Sequence, residues 1–416
     1  MVNNIGVKPA GCIATIALYK SADLYAHQYP VTCKQLKDNS YVDDLGLTGR
    51  NRAEAERRAI EADIVLQHAN MRIKSWTFSG DKADHMDIGD IAGNLPSEEQ
   101  GIERMLGIMW DPAHDVFKFA VRINLSTLRK KTRTGPDICQ QELIENPPKV
   151  ITRRQFYSQI QSLFDPLGLL SPVLLSAKIL LRRTWENGCE KLKWDDALPQ
   201  ELVQNMVQFF AELFELEEIE FSRSLVPQDA EVIGNPDLVI FSDGSICAFG
   251  SVAYIRWKLV KGGWWTNIII SKSKIAPKNR QSVPRLELNG AVLSKRLGEF
   301  VKTTLDYDFE NVYHLVDSST VLGYLHKSDS KLKPFEGIRV SEIQSAGSFV
   351  DGRLFNWFWV EGKDNPADWA TKPHKVSDLR RYGFWQKGPA FLDKDISQWP
   401  IREDFRTDRL EGELLP

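Results

Sequence analysis

The sequence lacks the features that mark membrane and secreted proteins. No apolar run approaches the roughly 20 residues that a membrane-spanning helix needs. The start of the chain, Met1-Val-Asn-Asn-Ile, does not show the basic and then apolar pattern of a secretory signal peptide. The five cysteines are scattered and form no C-x-x-C pair. These absences predict a soluble protein without a disulfide framework that works inside the cell, in the cytoplasm or in the nucleus.

The chain also has no overall excess of basic charge, because its formal net charge is −3 at pH 7. The charge is nevertheless uneven: the segment Ile255 to Arg285 contains eight Lys or Arg, no acid and three tryptophans. Basic segments with aromatic residues commonly bind the backbone of nucleic acids, although an ordinary solvated surface has the same composition. The candidate nucleic-acid-binding residues are Lys272, Lys274, Lys278, Arg280, Trp264 and Trp265.

Four acidic residues of the C-terminal half lie where predicted elements begin or end. Asp243 ends an apolar strand and Asp317 ends a second, shorter one. Glu287 lies one turn into a predicted helix, and Asp368 lies in a short helix. Two divalent cations about 3.5–4 Å apart assist the attack of water on a phosphodiester, and Mg²⁺ prefers carboxylate and other oxygen ligands. The four acids therefore predict a two-metal site for Mg²⁺, with Mn²⁺ as the alternative.

The elements around these acids are expected in the order βββαβαβα. The apolar residues from Leu238 to Ile270, interrupted at Lys261-Gly-Gly263, predict a three-strand antiparallel meander. Ser282 and Pro284 are typical of a helix start. The elements predicted after the meander are a helix from Ser282 to Leu305, a strand from Asn311 to Val316, helices from Ser319 to His326 and from Phe335 to Ala346, and a strand from Leu354 to Val360.

Each acid also has an ordinary structural interpretation. An Asp before Gly-Ser commonly forms a turn, and a Glu in the first turn of a helix is stabilised by the helix dipole even when it is solvated. Asp317 and Asp368 could each cap a short helix. The occurrence of all four acids in this order, on these elements, favours the metal site.

The motifs around the four acids resemble those of a known family. Their order is similar to that in ribonuclease H, and their residues resemble the Pol polyprotein of BEL/Pao-type LTR retrotransposons. The resemblance implies a mixed-sheet ribonuclease H-like domain in which Asp243, Glu287, Asp317 and Asp368 hold two Mg²⁺ and cleave the RNA strand of an RNA–DNA hybrid. The motifs are Phe241-Ser-Asp-Gly-Ser, Arg285-Leu-Glu-Leu, Val316-Asp-Ser-Ser-Thr-Val-Leu and Asn365-Pro-Ala-Asp-Trp-Ala-Thr.

The sequence departs from the ribonuclease H pattern at one point. Many relatives have a histidine in the loop before the last acid, whereas Glu361-Gly-Lys-Asp364 contains none. The difference affects the expected rate of cleavage rather than the class of reaction.

The N-terminal third contains a second pair of acids, Asp43 and Asp44, at a predicted hairpin tip. On residues alone this is a turn with two acids. The segments that begin at Gly6, Ile73 and Met105 resemble successive palm motifs of BEL/Pao reverse transcriptases. The resemblance implies that Asp43 and Asp44 hold the two polymerase ions together with a third Asp upstream, and that the partner is template–primer nucleic acid.

The expected third aspartate of that palm is not found before Asp43. The available acids, Asp23 and Asp38, lie in other contexts. We therefore expect an incomplete palm that does not polymerise DNA by itself.

The predicted organisation is a multidomain chain of the α/β and α+β classes. We expect a partial palm at 1–120, a helical thumb and connection at 121–225, a ribonuclease H-like domain at 226–375 and an extension at 376–416. In relatives the middle region is sometimes described as a Pao-type aspartic peptidase. A retropepsin-like site needs Asp-Thr/Ser-Gly, and the nearest string, Asp243-Gly-Ser, has another order. A helix from Glu54 to Met71 is expected to bury a face that includes Ile60 and Ile64.

Two other functions are compatible with parts of the sequence. A DDE-type integrase has the same fold but needs acids in the order Asp, Asp, Glu, whereas Glu287 precedes Asp317 here. A domesticated module that binds nucleic acid or a partner without catalysis is compatible with an incomplete palm, and the intact nuclease acids count against it. The sequence does not define the oligomeric state.

Overall fold

The computed structural model of the chain divides into two compact units, Met1–Phe117 and Lys118–Pro416. The finer division into four segments stays a prediction. Within the described residues, no helix has the length and apolar character needed to cross a membrane. The structure describes residues 10–41, 44–81, 103–105, 108–126, 128–129, 132–133, 135–186, 188–279, 281–327, 331–345, 349–350, 353–354 and 356–402.

The described part of the first unit is built mainly from three helices. Their common core includes Leu18, Ala22, Leu36, Val65 and Leu66. The strands pair as two antiparallel hairpins, β1 with β2 and β3 with β4. The elements are α1 (Ala10–Tyr25), α2 (Pro30–Asp38), β1 (Ser40–Tyr41), β2 (Asp44–Leu45), α3 (Arg52–His68), β3 (Glu103–Met105), β4 (Ile108–Asp111) and β5 (Val116–Lys118).

The buried face of α3 differs from the predicted one. The helix begins at Asn51, whose side chain accepts a hydrogen bond from the backbone N–H of Glu54. Ile60 is 62% exposed and Ile64 is 39% exposed, so the prediction that both are buried is wrong. Because a helix buries residues three and four apart, the face that contains Ala62 and Leu66 turns these two isoleucines toward solvent.

The second unit begins with helices and short strands. Thr152 starts α5 with a capping box, in which its side chain accepts from the backbone N–H of Gln155 and the Gln155 side chain accepts from the backbone N–H of Thr152. The elements are β6 (Leu128–Arg129), β7 (Thr132–Arg133), α4 (Gln140–Glu145), α5 (Arg153–Ser162), α6 (Ser171–Arg183), α7 (Gln200–Leu213), a 3₁₀ helix at Phe214–Glu218 and β8 (Phe221–Ser222).

A five-stranded mixed sheet forms the centre of the second unit, with the order β11-β10-β9-β12-β15. The first three strands are antiparallel, and β12 is parallel to both β9 and β15. The elements are β9 (Val232–Gly244), β10 (Ala248–Leu259), β11 (Trp264–Ile275), α8 (Val283–Thr304), β12 (Val312–Val316), α9 (Ser319–Leu325), α10 (Pro334–Gln344), β13 (Phe349–Val350), β14 (Arg353–Leu354), β15 (Trp357–Trp359) and α11 (Phe384–Lys387).

The expected order βββαβαβα is confirmed, with two differences in detail. The predicted last strand is divided, because β14 pairs with β13 whereas β15 joins the central sheet. Asp368 lies in a 3₁₀ helix, Pro366–Ala370. Further 3₁₀ helices lie at Gly362–Asp364, Val376–Leu379, Ala390–Asp393 and Ile396–Gln398.

The middle strand β9 is buried because it carries an unbroken apolar run. Leu238 to Phe241 are fully buried, as expected for a strand covered on both faces. On one face, Leu238 and Ile240 pack in a cluster with Leu297 and Val301 of α8. On the other face, the Phe241 ring lies 5.8 Å from that of Tyr254 and 6.4 Å from that of Phe391. Both faces of β9 are therefore packed against other elements just before the strand ends.

Two glycines let α8 lie directly on the end of β9. A Cβ atom added at Gly244 would lie 2.2 Å from the backbone nitrogen of Glu287, and one added at Gly290 would lie 2.5 Å from the carbonyl oxygen of Asp243. Only a residue without a side chain permits backbone contact at this distance. The packing therefore brings Glu287 of α8 next to Asp243 of β9.

The outer edge of the sheet is covered by the helices that precede it. The backbone N–H of Ser271 in β11 donates to the carbonyl of Leu167, and the Ser271 hydroxyl donates to that of Gly168 at 2.6 Å. Lys178 and Arg182 of α6 donate to carbonyls at the end of the same strand. Because an unpaired edge strand exposes free backbone groups, α6 and the loop before it are an integral part of this unit.

Candidate active site

The four predicted acids lie at one end of the sheet. Asp243 is near the end of β9, and Asp317 directly follows β12. In the parallel pairing, Val316 lies opposite Ser242, so Asp317 and Asp243 occupy the next matching positions on neighbouring strands. Glu287 lies in the second turn of α8, beside Gly244. Asp368 lies in the 3₁₀ helix that packs on β9 and β10.

Each acid is held by a polar neighbour from one of the same motifs. The Ser318 hydroxyl donates to Glu287 Oε2 at 2.6 Å, and the Thr371 hydroxyl donates to Asp243 Oδ2. The Asn365 side chain donates to Asp317, and Lys372 Nζ lies 2.5 Å from Asp368 Oδ1. The side chains of these four residues fix the orientations of the carboxylates.

Sequence reasoning missed these four partner residues. A signal was present, since each lies within four residues of a motif acid: Ser318 follows Asp317, and Asn365, Thr371 and Lys372 surround Asp368. The signal is weak because Ser, Thr, Asn and Lys are common near helix ends. Ser318, Thr371 and Asn365 pair with acids on other elements, which depends on the tertiary structure, whereas Lys372 pairs with Asp368 four residues before it.

The pKa values of three of the acids are raised, and the other acids are among the causes. Burial and the charges of Asp243 and Glu287 together raise the pKa of Asp317 to about 7. Burial also raises the pKa of Asp243; the Thr371 hydrogen bond opposes this rise and the charge of Asp368 adds to it. The pKa of Glu287 is raised by burial and by the charge of Asp243. Acids from four elements therefore act on one another through their charges.

The four acids do not have the ordinary structural roles of turn former, helix cap or solvated helix residue. Ser318, not Asp317, caps α9, because its hydroxyl accepts from the backbone N–H of Val321 at 3.2 Å. Asn365, not Asp368, caps the following 3₁₀ helix. Asp243 pairs with Gly250 within the sheet rather than forming the turn, and Glu287 is half-buried rather than solvated. None of the four acids is explained by its local element.

The donor set fits a divalent cation in its chemistry. All four side chains offer carboxylate oxygens, which are the ligands that Mg²⁺ and Mn²⁺ accept, and no cysteine or histidine contributes. Among the described residues, however, no group of three or more His, Cys, Asp or Glu side chains is arranged closely enough to hold a metal ion.

The loop before the last acid lies against Asp317. A Cβ atom at Gly362 would be 3.4 Å from Asp317 Oδ2. The histidine that many relatives have in this loop is replaced here by Glu361 to Asp364. His374, after the last acid, stacks on Trp369 with ring centroids 4.3 Å apart, and its Nδ1 lies 3.2 Å from Asp378. These side-chain contacts are within its own segment, and its backbone N–H donates to the carbonyl of Pro172 in α6 at 3.3 Å.

The predicted nucleic-acid-binding residues have different surroundings. Lys272, Lys274 and Lys278 are exposed at the end of β11 and just after it. Trp264 contacts the guanidinium of Arg256 at 3.3 Å, and the ring of Trp265 lies 4.6 Å from the ammonium of Lys387. Both rings already contact cations of the protein itself. Arg280 lies outside the described residues.

The second predicted pair of acids belongs to the first unit. Asp44 lies in β2, opposite Tyr41 in the expected hairpin. Asp43 lies outside the described residues. The predicted polymerase site is therefore described only at Asp44.

An aspartate near the middle of β9 has a structural role. Asp237 is 3% exposed, and Arg256 Nη1 donates to its Oδ2 at 2.7 Å. The side chain of Asn311 donates to Oδ1 at 2.9 Å. A substitution here leaves a buried arginine without its counter-ion.

The sheet order and the acid-bearing end define the second unit as ribonuclease H-like. Residues 152–318 match the model of a protein family described as Pao retrotransposon-like RNaseH-like domain. This match confirms the resemblance to BEL/Pao-type retrotransposon Pol for that segment. No curated protein matches the chain.

The boundaries of the match agree with the packing. The matched segment begins at the capping residue of α5, so it includes the helices that cover β11 as well as the sheet. It contains Asp243, Glu287 and Asp317 and ends before Asp368. The described structure extends the unit beyond the matched segment, through β15 and the 3₁₀ helix of Asp368.

Proposed function

We propose that this chain cleaves the RNA strand of RNA–DNA hybrids by ribonuclease H-type hydrolysis. Asp243, Glu287, Asp317 and Asp368 would hold two Mg²⁺, with Mn²⁺ as the alternative. The observation that carries the proposal is that acids from four separate elements meet at one end of a ribonuclease H-like sheet, where burial and the neighbouring acids raise the pKa of Asp243, Glu287 and Asp317. The bound ions would supply activation of water and stabilisation of the leaving oxygen.

The residues of the chain itself would orient the reacting groups. Asp243 and Asp317 occupy matching positions on parallel strands, so their carboxylates are presented to the same substrate phosphate. Ser318 donates to one oxygen of Glu287, and Thr371 donates to one oxygen of Asp243. Preorganised side chains of this kind lower the reorganisation that accompanies the reaction.

The exposed lysines support a nucleic-acid substrate. Lys272, Lys274 and Lys278 lie on the same unit as the acids and would contact the phosphates of the hybrid. Trp264 and Trp265 have a smaller role in this proposal, because their rings already contact Arg256 and Lys387. Recognition of the RNA strand would depend on its 2′-hydroxyls and on the A-form shape of the hybrid.

The test is cleavage of a labelled RNA strand in a hybrid, with a DNA duplex of the same sequence in parallel. Wild type should cut the hybrid in the presence of Mg²⁺, and Asp243→Asn should lose at least about a thousandfold in rate, which corresponds to about 4 kcal/mol. Asp308→Asn, an exposed acid of the loop after α8, is the matched control and should cleave normally. Equal rates for wild type and Asp243→Asn would refute the proposal.

Two other outcomes would identify the alternatives. Preferential cutting or joining of the duplex would favour the integrase hypothesis. Binding of the hybrid without cleavage would favour a non-catalytic nucleic-acid-binding module. That second candidate is favoured by the ion pair between Lys372 and Asp368, which places a cation of the protein on one of the four acids.

The palm-like segment is a separate proposal. Asp43 and Asp44 would belong to an incomplete polymerase site that binds template–primer nucleic acid without extending it. Primer extension on an RNA template tests this proposal. Mg²⁺-dependent extension that disappears in Asp43→Asn would contradict it, because the two aspartates would then have been sufficient.

A further inference from the structure

Lys372 is the basic residue nearest to the carboxylates of the candidate site. Its Nζ lies 2.5 Å from Asp368 Oδ1, and its side chain is 58% exposed. Among the described residues, no other basic side chain forms an ion pair with any of the four acids. Because the Lys372 side chain is exposed and its ammonium contacts the half-buried Asp368 carboxylate, the ion pair rather than packing holds the side chain in place.

The charge on Lys372 is stabilised by more than its direct partner. The hydrogen bond to Asp368 raises its pKa, and the charges of Asp368, Asp243 and Asp317 raise it further. Conversely, the positive charge of Lys372 lowers the pKa of Asp243, against the rise that burial causes. The ammonium therefore acts on three of the four acids.

An ordinary surface ion pair is the simplest alternative. Lys363 provides an example in the same part of the chain, since it lies 2.7 Å from Glu361 and both side chains are more than half exposed. Such pairs contribute little to stability. Lys372 and Asp368 are four residues apart, which is also common for surface pairs, but Asp368 is one member of the group of acids and the residue before Lys372, Thr371, donates to a second member, Asp243.

We propose that the Lys372 ammonium is a built-in counter-ion that occupies the cation position at Asp368 and competes with one of the two divalent ions. This inference rests on the proposed function. The chain would bind one ion tightly and the second more weakly, because the second must displace Lys372 from Asp368. The exposed, flexible stem allows the ammonium to leave without a change of fold. Lys372 is on this view a positioning residue for cations rather than a catalytic residue.

The test measures metal binding directly. Binding of Mn²⁺ to the full chain is followed through the electron paramagnetic resonance signal of free Mn²⁺. In Lys372→Met the weaker ion should bind about fivefold to tenfold more tightly than in wild type, because the competing charge is gone. Lys372→Arg keeps the charge and should bind like wild type. Lys363→Met is the matched control and should leave both affinities unchanged.

Thermal unfolding gives a second readout that is independent of activity. Without divalent ions, Lys372→Met should unfold at a lower temperature than Lys363→Met, because the acids then repel one another without compensation. Addition of Mn²⁺ should raise the unfolding temperature of Lys372→Met more than that of wild type. If Lys372 forms only a surface ion pair, Lys372→Met and Lys363→Met should unfold at the same temperature without divalent ions. Mn²⁺ should then raise the unfolding temperatures of Lys372→Met and wild type equally.

The outcomes separate this inference from the proposed function. If wild type cleaves the hybrid but Lys372→Met and wild type bind both ions equally, Lys372 does not compete and the inference is wrong, while the nuclease proposal stands. If neither protein binds Mn²⁺ and the hybrid is not cleaved, both proposals are wrong. Tighter binding in Lys372→Met without cleavage by any variant supports the competing cation and contradicts the nuclease.

Discussion

Two aspartates of the same strand show how different a buried acid can be. Asp237 and Asp243 lie six residues apart on β9 and are 3% and 7% exposed. Asp237 contacts Arg256 and Asn311. Asp243 lies among Glu287, Asp317 and Asp368, with the hydroxyl of Thr371 as its hydrogen-bond donor. In the middle of the strand, Asp237 is paired with Arg256, whereas at the end of the strand Asp243 has three other acids near it.

Burial by itself does not distinguish the two acids. It raises the pKa of both carboxyls, and in both cases it is the largest cause. The difference lies in the neighbouring charges: Arg256 lowers the pKa of Asp237, whereas Asp368 raises that of Asp243. Of the two buried acids, Asp237 has an arginine as its direct partner, whereas Asp243 has a hydroxyl as its direct partner and further acids around it.

The largest expected effect separates these two aspartates by stability. Asp237→Asn should lower the free energy of unfolding by about 3–5 kcal/mol, because Arg256 then stays buried without its counter-ion. Asp243→Asn should change it by less than about 1 kcal/mol, or raise it, because a repelling charge is removed. Urea unfolding followed by tryptophan fluorescence measures both. Equal losses in the two variants would contradict the comparison.

The next effect concerns the close packing at the acid-bearing end. Gly290→Ala places a methyl group where it meets the carbonyl oxygen of Asp243, so α8 must move away from β9. We expect a loss of about 1–3 kcal/mol in stability, together with slower hybrid cleavage, since Glu287 moves with the helix.

Gly11→Ala is the control for this substitution. Gly11 also lies in a helix, but no atom lies within 4 Å of its added Cβ. Cleavage that is unaffected in Gly290→Ala would show that the distance between α8 and β9 does not matter for the reaction.

A smaller effect is expected at the basic edge of the same sheet. Replacement of Lys272, Lys274 and Lys278 by glutamine should weaken hybrid binding and reduce the log–log dependence of affinity on salt by up to about three units. The measurement is a binding titration at several salt concentrations. Replacement of Lys149, Lys191 and Lys193, which are exposed outside the sheet, is the control. An unchanged slope would assign the first set to an ordinary solvated surface.

The smallest effect concerns a third kind of buried aspartate. Burial raises the pKa of Asp165 to about 6, although the backbone N–H groups of Leu170 and Leu169 donate to it. Because its pKa is higher in the folded than in the unfolded chain, the folded state binds more protons between about pH 4 and pH 6. This contribution to stability is present at low pH and is lost as the pH rises through 6.

Asp165→Asn should therefore flatten the dependence of unfolding free energy on pH in this range, by at most one proton. Unfolding experiments from pH 4 to pH 7 measure the slope, and Asp229→Asn, at an exposed position, is the control. An identical slope in Asp165→Asn and wild type would show that the carboxyl titrates normally.

Much of the acid-bearing end could be predicted because its signals are local. The apolar run from Leu238 to Phe241 indicates a buried strand whatever surrounds it, and Ser282 with Pro284 indicates a helix start. The position of each acid relative to its own element follows from the same local patterns. The element order and the four candidate acids were therefore available from the sequence, and the family resemblance connected them.

The partners of charged residues were not available in this way. Asp237 and Arg256 are 19 residues apart and meet only because β9 and β10 pair in one antiparallel register. The tryptophans of β11 also contact residues that are distant in the chain, because Trp265 has Lys387, near the C-terminal end, as its cation partner. A basic, aromatic segment in the sequence therefore does not reveal which of its rings are already in contact with protein cations.

The sequence by itself determined the order of the elements and placed Asp243, Glu287, Asp317 and Asp368 on them, because hydrophobic periodicity and helix starts depend on residues close in the chain. Only the tertiary structure decided that Gly244 and Gly290 bring α8 onto β9, that α6 covers β11, and that Thr371 donates to Asp243. These features depend on strand register and on contacts between residues distant in the chain, which no local pattern encodes.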